Sequence, residues 1–238
     1  GGIGKIVKAL VLAAGRGARM NELTENLPKP LISLNGKPLL GYLLDALNEC
    51  GVSDVTLVSG YLSDRIESFV NGSCRIIRNP VYDRTNSIYS LWLAKACFSG
   101  KPFLLLNGDL VMDTDCIRKL IDHRAQTALL VDDQKPLKDG EMNVVISGDR
   151  IVRIGKEIGA ENAQAESAQV VKFGAGDSAR LFDRVTELIK RGRKNGFPTM
   201  AYDVIFAQSR MVPVYTADCR WFEIDTLEDL AAAEKVFV

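Results

Sequence analysis

The stretch LVLAAGRGARMNELTENLPKPL (residues 10–31) decides how the chain is read. An apolar run ends at Leu12, Ala13 and Ala14, then gives way to Gly15 and Gly17 with Arg16 and Arg19 around them. Small residues at a strand end let backbone N–H groups close around phosphate oxygens, and an arginine there neutralises their charge. Taken alone, the loop fits an ordinary strand–helix turn equally well. It is not a Walker A loop, because GxxxxGK[ST] is absent, and it is a poor dinucleotide fingerprint. Met20 stands where the third glycine of that fingerprint belongs, and no acid follows at the spacing expected of a ribose ligand. In Pro28-Lys29-Pro30, two prolines stiffen the backbone around one lysine, a point charge suited to a phosphate.

Working outward, the run KIVKALVL (5–12) is continuously apolar enough to be buried on both faces of a parallel sheet. Helical spacing of Leu40, Leu43, Leu44 and Leu47, stopped by Gly51, predicts a helix. VTLVSG (55–60) reads as a strand, SDRIESFV (63–70) as a helix capped by Ser63, and CRII (74–77) as a strand. A helix over 88–98 precedes FLLLNGD (103–109), the clearest buried strand, which stops at Asp109. This alternation predicts an α/β fold: a doubly wound, mixed but mainly parallel sheet of Rossmann-like type.

The second half changes character. MNVVIS and RIVRIGK flank Gly148-Asp149 as a hairpin, SAQVVKF (167–173) is a strand, and a helix is expected over 177–191. MVPVYTA and WFEID supply the last strands, and Thr226 with Asp229 forms a capping box for the helix after them. The expected organisation is one domain over 1–238, with a nucleotide-binding half (1–135) and a β-rich acceptor half (136–238) ending in that helix.

Bulk properties narrow the class. Of 238 residues, 47% are hydrophobic and 25% charged, enough for a full core. Thirty basic residues balance thirty acidic ones, which gives no basic footprint for nucleic acid. No apolar run is long enough for a membrane span, and GGIGK carries no signal-peptide core. The five cysteines are scattered without a CxxC pair, so reduced thiols in a cytoplasmic protein are expected. The single histidine, His123, is placed near a helix end facing solvent, and no covalent nucleophile pattern accompanies it.

Asp109 and Asp225 each stand at the end of an expected strand. Two such carboxylates, together with substrate phosphates, would suit Mg²⁺. Turn chemistry at Asn107-Gly108-Asp109 and helix capping at Asp225 account for each residue separately.

The order LAAGxGxRM, LPKPL, strand-end Asp109 and EID-T-x-ED-L resembles the nucleoside-triphosphate nucleotidyltransferases of the sugar-phosphate and phosphocholine type. The resemblance covers essentially the whole chain, with Ala18 replacing the family's usual Thr or Ser. It implies that Gly15, Gly17 and Arg19 wrap a triphosphate, that Lys29 works at the reacting phosphates, and that Asp109 and Asp225 hold Mg²⁺. The segment NPVYDRTNSIYSLWLA (79–94) is similar to that of small-alcohol cytidylyltransferases, so CTP and a small phosphorylated or phosphonate acceptor are the implied partners. A homodimer is compatible with it. Asn86, Ser87 and Ser90 become candidates for the nucleotide or acceptor site, although Asn86 or Ser87 would cap the following helix in any case.

A quaternary ammonium acceptor wants an aromatic cage and a carboxylate. Glu166, Tyr202, Asp203 and Trp221 are the candidates, whereas Trp92 fits the helix core. GEMNVVIS (140–147) offers only Met142 and Asn143 where an aromatic would serve phosphocholine, which leaves 2-aminoethyl- or 2-hydroxyethylphosphonate open. A sugar-1-phosphate enzyme using UTP, dTTP or GTP is the alternative reading. A nucleotide-binding module without turnover is a further one.

Overall fold

The computed structural model describes residues 8–237. Strand β1 (Lys8–Ala13) runs into the glycine loop, whose far side winds into a 3-10 turn at Ala18–Thr24. A second 3-10 turn, Lys29–Leu31, and a short hairpin of β2 (Ser33–Leu34) and β3 (Lys37–Pro38) lead into α1 (Leu39–Glu49). Then follow β4 (Asp54–Ser59), α2 (Ser63–Val70), β5 (Arg75–Arg78), α3 (Ser87–Leu93), α4 (Lys95–Phe98) and β6 (Phe103–Asn107). Next come β7 (Leu110–Met112), α5 (Thr114–Asp122), β8 (Ala128–Asp132), β9 (Asn143–Ser147), β10 (Arg150–Gly155) and the long β11 (Ala165–Phe173). The remaining elements are α6 (Ala175–Lys190), α7 (Asp203–Gln208), β12 (Val212–Tyr215), β13 (Trp221–Glu223) and α8 (Leu227–Glu234).

One nine-stranded sheet organises both halves, in the order β10-β9-β11-β6-β1-β4-β5, with β8 and β12 attached through β11. β1 pairs in parallel with β4 on one side and β6 on the other, so strand order reverses between β1 and β6. A crevice opens at such a switch point, beyond the carboxyl ends of the strands. The glycine loop and Asp109 both stand there. β11 is antiparallel to β6 and to β8, β12 runs parallel to β8, and β13 pairs with β7, so several pairings join the second-half strands to the first.

Period-2 alternation explains the unbroken apolar strands. Leu10 and Leu12 of β1 face one core with α3, α4, α6 and α7, whereas Ala9, Val11 and Ala13 face another with α1, α2 and α5. A third core lies beneath the glycine loop, where Met20 packs with Ile32, Leu34, Leu39, Ile224, Leu230 and Phe237. The residue that breaks the dinucleotide fingerprint is therefore a fully buried anchor for the turn after the loop.

Several local expectations shift. The run expected from residue 5 is a strand from Lys8, and residues 5–7 lie outside the described ones. Ser63 is the first helical residue of α2, not its cap: Leu62 precedes it at φ 48, and the Ser63 hydroxyl bonds to Ser59 and donates to Glu67. The helix expected over 88–98 divides at Ala94 into α3 and α4. His123 is half-buried beyond α5, and its Nδ1 accepts from the Ala125 N–H. Thr226 and Asp229 form the capping box at α8.

Candidate active site

A cleft of about 410 Å³ occupies the switch point. Its floor is the end of β1 (Leu12, Ala13, Ala14), and Gly15, Gly17 and Arg19 form one wall. Gly17 needs its lack of a side chain twice over. It sits at φ 69, and a Cβ there would come within 2.9 Å of the Lys29 side chain. Its carbonyl accepts from Met20 N–H and from the Thr24 hydroxyl, which pins the loop to the turn behind it. Gly15, by contrast, has open space around it.

Lys29 is buried between two acids. Its ammonium donates to Asp109 Oδ2 at 2.7 Å and to Asp225, while Arg19 donates to Asp225 Oδ2 at 2.8 Å. Burial disfavours the charged lysine, but Asp109 and Asp225 outweigh it and hold its pKa above the ordinary value. Burial likewise pushes the Asp225 carboxyl up, yet Lys29 and Arg19 bring it below the usual range. The two aspartates meet because β13 pairs antiparallel with β7 and the Ile224 N–H donates to the Asp109 carbonyl at 3.0 Å.

That pairing adds a third acid, Glu223. Ligand oxygens of Asp109, Glu223 and Asp225 lie within 4.8 Å of one another. Burial first, then the two aspartates, push Glu223 up to about 8. Asp109 Oδ1 is buried and has no hydrogen-bond partner among the described residues. An orphaned carboxylate oxygen inside a three-acid cluster fits a hard divalent cation, which takes oxygen ligands. Glu223 is legible only in hindsight, two residues before Asp225 at the strand repeat.

Asn86, Ser87 and Ser90 also line the cleft. Asn86 caps α3, its side-chain oxygen accepting from the Ser87 N–H at 2.7 Å, and the Ser90 hydroxyl accepts from Asn79 at 3.2 Å. Lys156, just beyond β10, lines the cleft too, as do Asn107, Met142, Gln169 and Phe197. Asn107 enters the sequence reading only as turn chemistry and Met142 only as the residue where an aromatic is missing; Lys156, Gln169 and Phe197 carry no signal there, because tertiary packing brings them to the cleft.

The expected ammonium cage does not assemble. Trp221 is 3% exposed, its indole N–H donates to Asp132 Oδ2 at 2.6 Å, and the Lys135 ammonium lies 3.7 Å from its ring centroid. Asp203 is on the outside of α7 in a bidentate pair with Arg184, 2.7 Å at its shortest contact. Glu166 lies on β11 opposite Asp132 and Asn143, off the cleft wall, with burial raising its pKa. Tyr202 is buried edge-on against Phe173 and reaches only a small recess of about 40 Å³ that adjoins the cleft. Strand register and helix facing, which sequence spacing does not report, separate these four residues.

A glycine loop, a buried lysine and clustered acids stand together at the switch point of this sheet, the arrangement of a nucleotide-handling α/β protein. The chain belongs to the MobA-like NTP transferase domain family, whose profile matches residues 9–203. It is 26% identical to the CTP:phosphoglutamine cytidylyltransferase of Campylobacter jejuni, over 94% of this chain and 98% of that one. It is 30% identical to the 2-aminoethylphosphonate cytidylyltransferase of Lancefieldella rimae, over 73% of this chain and 69% of that one. The fold superposes on CTP:phosphocholine cytidylyltransferase from Streptococcus pneumoniae with a TM-score of 0.82 at 21% identity, over 98% of this chain and all of that one. Among the described residues, no helix is long and apolar enough to cross a membrane.

Proposed function

We propose that the protein transfers CMP from CTP to a small phosphate or phosphonate monoester, releasing pyrophosphate. The observation that carries this reading is the Lys29 ammonium set between Asp109 and Asp225 at the mouth of the glycine loop. The cytidylyltransferase relatives support CTP as the donor. The free state of all five cysteines supports a cytoplasmic setting.

An acceptor oxygen attacks the α-phosphorus of CTP, the bond to the β-phosphate oxygen breaks, and pyrophosphate leaves. The attacking oxygen is already anionic near neutral pH, so no general base is required. The work is alignment and neutralisation of mutually repelling anions. Gly15 and Gly17 present backbone to the triphosphate, Arg19 neutralises its charge, and Lys29 serves the reacting phosphates. Asn86, Ser87 and Ser90 line the nucleotide or acceptor side. Asp109, Glu223 and Asp225 would hold Mg²⁺, which supplies charge neutralisation at phosphoryl oxygens when bound.

A pyrophosphate-release assay with CTP, UTP, dTTP and GTP, each with Mg²⁺ and a panel of phosphocholine, 2-aminoethylphosphonate, 2-hydroxyethylphosphonate and hexose 1-phosphate acceptors, tests the reading, and CTP should be preferred. Preference for another nucleotide would place the protein with sugar-phosphate enzymes, and release with none would leave a binding module. Asp109→Asn and Asp225→Asn should each lower turnover by about 100-fold or more. Near-normal rates in folded variants would sink the acid cluster's role.

A further inference from the structure

Between the acid cluster and the adjoining recess, the cleft wall carries two carboxamides, Asn107 and Gln169. Both line the cleft and the recess. They adjoin one another across the sheet, since each lies one residue beyond the Leu106–Val170 pair of β6 and β11. Neither side-chain amide makes a hydrogen bond among the described residues. Gln169 is held in an unusual conformation to be there. Its φ is 63, the β11 register breaks between Ser167 and Val171, and its N–H is held by the Ser167 hydroxyl at 3.1 Å. A left-handed backbone is strained for a residue that carries a Cβ, and such outliers gather at ligand sites.

The surroundings disfavour a cationic tail. Phe197 is the exposed aromatic at this end of the cleft, and the Lys156 ammonium already lies 5.4 Å from its ring centroid. A second cation there would meet a like charge. Asp203 is committed to Arg184, and Glu166 lies off the wall. Amides, by contrast, both donate and accept, and so pair with a hydroxyl or another amide.

We propose that Asn107 and Gln169 are the specificity-determining residues for the acceptor, selecting a small phosphate or phosphonate monoester with an uncharged hydroxyl or carboxamide tail over one with an ammonium tail. This rests on the cytidylyltransferase reading. The site discriminates because the carboxylates lining this cleft are those assigned to Mg²⁺, so an ammonium would lose its hydration without gaining a free one, whereas a neutral tail exchanges water for two amides.

The test compares kcat/KM for 2-hydroxyethylphosphonate, 2-aminoethylphosphonate and phosphocholine, with CTP and Mg²⁺. The hydroxyl acceptor should exceed both ammonium acceptors by about tenfold or more. Gln169→Glu and, separately, Asn107→Asp should shift the amino-to-hydroxyl ratio toward the amine by about tenfold, with KM for CTP unchanged. Gln169→Asn keeps an amide that tolerates the left-handed backbone and should retain the wild-type ratio. Wild-type preference for an ammonium acceptor, or an unmoved ratio in both folded acidic variants, would overturn the inference and leave the reaction class standing. Pyrophosphate release with no acceptor, or only with another nucleotide, would overturn the reaction class and this inference with it.

Discussion

A methyl group on Gly17 would lie 2.9 Å from both Cβ and Cδ of Lys29, so the glycine loop and the lysine loop are fitted to each other. Gly17→Ala would combine that clash with a left-handed alanine, costing on the order of 1–2 kcal/mol of stability. It should also displace Lys29 from Asp109 and Asp225. We expect a lower thermal midpoint and turnover reduced by about tenfold or more, since Lys29 is misplaced rather than removed and full loss of one aligned group costs about 100-fold. Gly15→Ala meets no protein atom within 4 Å and should leave the thermal midpoint unchanged. Its effect should fall on KM for the nucleotide, because the space around it is where ligand approaches. Equal thermal midpoints for the two variants and wild type would remove the argument that Gly17 packs on Lys29. The glycine–lysine relation is partly legible in the sequence, where both motifs are visible. Their contact is not, because it depends on two 3-10 turns stacking over the Met20 core.

Strand β13 does two jobs at its two ends. At one end Trp221 closes the core and bonds to Asp132, and at the other Glu223 joins Asp109 and Asp225. Trp221→Phe would leave the 4%-exposed Asp132 short of a donor, with an expected loss of about 1–3 kcal/mol in unfolding free energy. The ratio of activities toward hydroxyl and ammonium acceptors should stay at its wild-type value. Chemical denaturation and the acceptor panel check the two halves of that expectation, and an altered ratio would restore Trp221 to the acceptor site. At this scale the WFEID run announces a strand, and Thr226 with Asp229 announces the helix after it. Its partner is less evident. β7 is only Leu110–Met112, too short to stand out beside FLLLN, yet it aligns the third acid. β8, Ala128–Asp132, is a short apolar run whose partners the sequence does not show, although it carries β12 and supports the bend of β11.

Across the whole molecule, Lys172 lies in the middle of the sheet, on β11, 1% exposed. Its ammonium donates to the carbonyls of Ile121 and His123 at 3.2 and 2.6 Å, which ties α5 to the sheet. Burial lowers its pKa from 10.5 to about 8. A lysine with a depressed folded-state pKa binds fewer protons folded than unfolded between those values. Stability from this group therefore rises as pH increases from about 8 toward 10.5. The slope can reach about 1.4 kcal/mol per pH unit. The stability of wild type relative to Lys172→Met should grow over that window, as read from denaturation curves at several pH values. A difference that is flat or falls with pH would contradict the direction of the shift.

Local chemistry was sufficient for the elements that the sequence determined by itself. Apolar runs buried on both faces, glycines at a strand end and a proline-braced lysine depend on near neighbours, and they announce a doubly wound sheet with a glycine loop at the end of its first strand. The tertiary structure alone decided which distant side chains share the cleft. Pairing of β13 with β7 brought Glu223 to the aspartates, and pairing of β11 with β6 set Gln169 beside Asn107. The same packing took Trp221, Asp203 and Glu166 away, since a side chain's destination follows from strand register and helix facing rather than from spacing along the chain.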